Sequence, residues 1–176
     1  MTKTHQATIA GAAVLAAALI GGCAGRPAPA PAPSQPYPPP ACDRTAIEHA
    51  DALKLPATRP DDQQAFARRL AVDRKLSRLG RWQQAQGWST LVVQMHSAGA
   101  TSLSAHLAGL QLPPRTEVWW CSGDGRERHG PYREAAGGEL WTPVIRDERA
   151  MLQIWLPSAA VRDLEGVLAD VQGGLQ

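Results

Sequence analysis

The stretch LPPRTEVWWCSGDGRERHGPY, Leu112 to Tyr132, decides the fold. Pro113-Pro114 interrupts whatever precedes it, because proline fixes φ and offers no amide donor. From Glu117 to Cys121 an extended chain puts Val118 and Trp120 on one face and Trp119 and Cys121 on the other. Gly123-Asp124-Gly125 is a turn signal, with Asp124 as the residue that tolerates positive φ, and Gly130-Pro131-Tyr132 marks the return. The stretch therefore predicts a strand, a turn and the start of its partner. Both faces of the strand are apolar, which places it inside a sheet with one face lightly covered.

Outward from this stretch the same period recurs. Thr101 to Leu110 alternates Leu103, Ala105 and Leu107 against Ser102, Ser104 and His106, the pattern of a half-buried strand. Trp88 to His96 is rich in β-branched and aromatic residues, and Phe66 to Val72, Gly80 to Gln84, Glu139 to Thr142 and Ala150 to Leu156 supply further short strands. Val161 to Val171 reads as a turn of 3₁₀ helix followed by a final strand. Turn signals at Ser97-Ala98-Gly99, Pro113-Pro114, Gly123-Asp124-Gly125, Gly137-Gly138 and Pro157 separate them. That cadence predicts an all-β, antiparallel sandwich and argues against α/β alternation. Ahead of it, Asp43 to Leu53 predicts one short helix capped by Asp43.

The chain's beginning reads as an address. Lys3 is followed by an uncharged apolar run from Ala7 to Ile20, shorter than the roughly 20 residues of a spanning helix. Leu19-Ile20-Gly21-Gly22-Cys23 resembles the lipobox of bacterial lipoproteins. The resemblance implies a signal peptide over 1–22, a mature chain starting at a lipidated Cys23, and membrane attachment through it. Ala24, where the enterobacterial sorting rule has aspartate for inner-membrane retention, implies an outer-membrane location facing the periplasm or cell surface. Residues 23–41 carry prolines at 27, 29, 31, 33, 36, 38, 39 and 40. Neither helix nor sheet tolerates that density, so an extended, disordered tether reaching roughly 55 Å is expected.

Residues 42–176 suffice for one domain, divided into an N-terminal extension over 42–65 and the sandwich over 66–176. With Lys3 and Arg26 set aside, sixteen basic side chains face sixteen acidic ones, and such neutrality gives no reason to expect nucleic acid. Arg68, Arg69, Arg74, Lys75, Arg78 and Arg81 nevertheless form a basic strip, either a solvated face or a surface for anionic partners. Once Cys23 is lipidated, Cys42 and Cys121 remain. In an oxidising compartment they pair, or Cys121 is a small buried apolar residue. No cysteine or histidine spacing suggests a metal site or cofactor.

The order of motifs from Phe66 onward resembles the non-catalytic N-terminal region of secreted bacterial trypsin-like proteins of the lysyl endopeptidase kind. The matching pieces are Gly80-Arg81-Trp82, the Trp88 strand, Ser97 to Ala100 with Ser102-Leu103, Leu112-Pro113-Pro114, the aromatic strand with its Gly-Asp-Gly, Gly130-Pro131-Tyr132, Leu140 to Val144, Arg146-Asp147-Glu148 and the strand ending at Pro157. The resemblance implies a jelly-roll-like β-sandwich. No Gly-Asp-Ser-Gly-Gly motif follows, so it implies the non-catalytic module without its peptidase.

Candidate chemistry is thin. His96, His106 and His129 read as solvated, on the polar side or end of a strand or in a turn. Asp124, Glu127, Asp147 and Glu148 read as turn residues, and no serine stands in a nucleophile elbow. An enzyme is the least supported class. Of Trp82, Trp88, Trp119, Trp120, Trp141 and Trp155, most must fill a core holding a single phenylalanine. Trp119 is the one expected to be exposed, since Trp120 and Val118 claim the buried face. The sequence thus leads to a non-catalytic envelope lipoprotein that binds another protein, such as a secreted peptidase, with Trp119 at the contact. The alternatives are a glycan- or lipopolysaccharide-binding module using a spare tryptophan with Arg68 and Arg69, or a structural envelope protein.

Overall fold

The computed structural model describes Pro38 and residues 40–58 and 66–175. Cys23, the signal peptide and most of the proline-rich segment lie outside the described residues. The described strands are β1 (Asp51–Lys54), β2 (Ala67–Lys75), β3 (Trp82–Ala85), β4 (Trp88–His96), β5 (Ser102–Gln111), β6 (Glu117–Ser122), β7 (Arg128–Tyr132), β8 (Leu140–Trp141), β9 (Arg149–Pro157) and β10 (Glu165–Gly174). They form two sheets packed face to face. One has the order β1-β4-β9-β6-β7, with β3 beside β1 on β4, and the other β2-β10-β5-β8. With β1 and β3 set aside, the strand order in the two sheets is that of a jelly roll.

The core lies between the sheets because alternate residues of every long strand are apolar. Leu103, Ala105 and Leu107 of β5 and Leu168 and Val171 of β10 meet Leu91, Val93 and Met95 of β4, Leu152, Ile154 and Leu156 of β9, and Val118 and Trp120 of β6. Trp120 is fully buried, and its Nε1 donates to the Pro143 carbonyl at 3.0 Å. The period-2 expectation for β5 and β6 therefore holds, as does the 3₁₀ turn (Ser158–Asp163) before the last strand. The turn after β6 is corrected in one detail: Gly125, not Asp124, has positive φ, at 70°. A side chain there would run into the Cys42 carbonyl.

The six-stranded sheet is covered on its outer face as well. Ala41, Cys42 and Ala46 pack there against Val92, Cys121, Met151 and Trp155. The helix α1 (Arg44–His49) is capped by Asp43, whose Oδ1 accepts from the Ala46 amide at 2.8 Å. It is shorter than expected. Ala50 turns extended at ψ 135°, and Asp51 to Lys54 pairs parallel with Val93 to His96 of β4. The Asp51 carboxylate accepts from Arg81 Nε at 2.9 Å, which pins β1 to the start of β3. The four-stranded sheet has no such cover among the described residues. Its outer face carries Arg69, Ser104, His106, Trp141, Asp170 and Gln172 instead.

Candidate functional site

That outer face holds a constellation built by four strands. His106 projects from β5 opposite the core residues Ala105 and Leu107. In β10 a register shift between Leu168 and Asp170 keeps both Leu168 and Val171 in the core and turns Asp170 outward, in register with His106. The two residues of β8 divide their roles: Leu140 is buried, and Trp141 pairs with His106 on the outside. Two hydrogen bonds hold β8 in place, from the Ala105 amide to Thr142 Oγ1 at 2.7 Å and from the Thr142 amide to the Ala105 carbonyl at 2.9 Å. Arg69 reaches in from β2.

Asp170 is the hub and is only 1 % exposed. Its carboxylate accepts from Arg69 Nε at 2.9 Å and Gln172 Nε2 at 2.6 Å, and His106 Nδ1 lies 3.3 Å away. The other imidazole nitrogen, Nε2, meets the Glu139 carboxylate. Burial pushes the His106 pKa down, but the hydrogen bonds to Glu139 and Asp170 outweigh it and leave the pKa above the ordinary histidine value. The two carboxylates thus favour the charged imidazolium. They sit on opposite ring nitrogens and do not converge, and among the described residues no three His, Cys, Asp or Glu side chains form a metal-binding group.

Trp141 completes the constellation. Its ring stacks on His106 with centroids 3.7 Å apart and planes 7° from parallel. One indole face is therefore fixed against the imidazole, yet Trp141 remains 60 % exposed, so its other face is open to solvent. A flat, immobilised aromatic face ringed by polar groups already locked in place can bind a ligand with little loss of side-chain freedom.

The residues singled out from the sequence fall elsewhere or apart. Cys42 and Cys121 are joined by a disulfide, S–S 2.04 Å and Cα–Cα 6.5 Å, tying the start of the domain to β6. Trp119 is only half-exposed. It lies edge-on to Trp155 at 6.3 Å, and its Nε1 shares the Glu117 carboxylate with Trp155. The tryptophan with an open face is Trp141. Arg68 and Arg69 lie on β2 of the other sheet, so Trp119 and these arginines do not form one surface. His106 is not solvated, with 14 % of its side chain exposed, and His129 lies in β7, opposite Trp120, rather than in a turn. Its Nε2 contacts Glu127 Oε1 at 2.8 Å. Asp124 accepts from Ser122 Oγ at 2.6 Å and the Arg126 amide at 3.0 Å, and these bonds hold its carboxyl below the usual range.

Sequence reasoning missed Asp170, Glu139 and Trp141 as companions of His106. The signal available was the parity of β5, which already put His106 on the polar face. Comparison with known proteins adds no relative: no protein-family model, curated protein or solved structure matches the chain.

Proposed function

We propose that the chain is a lipid-anchored, non-catalytic module of a bacterial envelope that binds glycan on the outer face of its four-stranded sheet. The observation that carries this reading is the open face of Trp141, stacked from behind by His106 and flanked by Asp170, Glu139 and Arg69. A pyranose presents an apolar C–H face that stacks on indole and hydroxyls that reach the polar rim. The lipobox at Leu19 to Cys23 and the proline-rich tether support an envelope location, outer membrane by the sorting logic of Ala24. A disulfide between Cys42 and Cys121 fits an oxidising compartment. Binding is favoured over turnover because both His106 nitrogens already face carboxylates, leaving neither free to take a proton from a substrate.

The test is sedimentation of the domain from Cys42 onward with purified, protein-free cell wall. Retention that falls at least about tenfold in Trp141→Ala and persists in Trp119→Ala supports the reading; equal retention of the two variants counts against it. A protein partner, such as a secreted peptidase, is the second reading. It is favoured by β2, a nine-residue strand at the sheet edge whose outer side can accept an added strand.

A further inference from the structure

Beside the Trp141 platform the same sheet face opens into a cleft of about 520 Å³. Its floor is Ala108 and Val167, paired across β5 and β10, and Lys75 of β2 is in register with Val167. Ser77 and Arg162, from the 3₁₀ segments Leu76–Arg78 and Ser158–Asp163, close its sides. Ala108 lies two residues beyond His106 on the same face of β5, and Val167 lies one strand further across. Strand geometry puts the cleft roughly 12 Å from Trp141 in the plane of the sheet, within the span of a short oligosaccharide.

The charges of the two places differ in kind. At the platform they are used up: Arg69 pairs with Asp170, and His106 with Glu139 and Asp170. In the cleft neither Lys75 nor Arg162 has an ion-pair partner among the described residues. The acid there, Glu165, accepts from Gln111 Nε2 at 2.6 Å. Arg44, Arg69, Arg81, Arg126 and Arg133 have carboxylate partners, and what sets Lys75 and Arg162 apart from the other cations without an ion pair is that both line one cleft. The platform is electrically balanced and suits a neutral ring, and the cleft presents an excess of one positive charge.

We infer that the ligand is an acidic glycan, with a pyranose on Trp141 and a carboxylate or phosphate substituent held in the cleft by Lys75 and Arg162. This rests on the glycan reading and adds its charge. A hydroxyl from Ser77 supplies a further donor for the anion, and charge-assisted hydrogen bonds of this type are about twice as strong as neutral ones.

Calorimetric titration with three soluble probes tests it: a neutral N-acetylglucosamine oligomer, a uronic-acid-bearing oligomer and a phosphorylated oligosaccharide. At least one acidic probe is expected to bind about tenfold more tightly than the neutral one at low salt, with the advantage fading near 0.5 M salt. Lys75→Gln with Arg162→Gln removes that advantage and leaves the neutral probe's affinity unchanged, while Trp141→Ala weakens all three. Whichever acidic probe carries the advantage identifies the anion as carboxylate or phosphate. Equal affinity for neutral and acidic probes, or an acidic preference that survives the double substitution, overturns this inference and leaves the glycan reading standing. Failure of the wild-type domain to bind any of the three overturns both.

Discussion

His106 shows how one residue acquires a role that its neighbours in the chain do not announce. Its parity in β5 puts it on the polar face, which is legible in Ser102, Ser104 and His106. The carboxylate beneath it comes from Asp170, which reaches it only because β10 shifts register by a residue. Nothing local to either residue records that meeting. Because Asp170 and Glu139 raise the folded-state pKa, the imidazolium contributes stability in full below the unfolded value of 6.5, and the contribution is lost as pH rises through the higher folded value. His106→Gln is therefore expected to cost about 1–2 kcal/mol near pH 6 and distinctly less near pH 9. Urea unfolding of both proteins across that range checks it, and a difference that grows with pH would reverse the assigned charge.

At the scale of the element, strands bounded by turn signals were readable, the short β3 and β8 among them. β5 declared itself by alternation and β6 by its apolar, aromatic run between turn signals. β1 did not, because Asp51 to Lys54 directly follows a helix with no turn signal between them, and its identity depends on a partner strand about forty residues later. What holds this N-terminal piece is the second apolar cluster and the Cys42–Cys121 disulfide, which spans a sequence separation of 79. Closing a loop of that length removes denatured-state freedom worth about 4–5 kcal/mol in the chain-entropy picture, and measured losses of native disulfides fall at about 2–5. Cys42→Ser with Cys121→Ser is expected to lower the unfolding free energy by that measured range while the far-ultraviolet spectrum keeps its β character. A denaturant midpoint unchanged between oxidised and reduced wild-type protein would show that the outer cluster alone holds the segment.

At the scale of the molecule, the cadence of turns was enough for an all-β sandwich, because each strand is too short to bury its face alone. The order of strands within each sheet was not legible from any pattern, since β2 joins β10 across almost the whole domain, Ala71 opposite Asp170. That closure makes the two ends of the domain unequal. β1 borders half of β4 on a sheet that remains continuous without it, whereas β10 sits between β2 and β5 and carries Leu168 and Val171 into the core. Removing β10 separates β2 from its sheet, exposes one side of β5 and strips Arg69 and His106 of the Asp170 carboxylate. A chain ending at Leu164 is therefore expected to lose its cooperative unfolding transition altogether. A chain beginning at Phe66 should keep one, at a lower midpoint because the disulfide and the outer cluster are gone. Thermal melts of the two truncations, followed by near-ultraviolet circular dichroism at the tryptophans, separate these outcomes. A cooperative transition in the C-terminally truncated chain would mean that the six-stranded sheet folds without the four-stranded one, and the sheet that carries Trp141 would then be an addition to the fold rather than half of the sandwich.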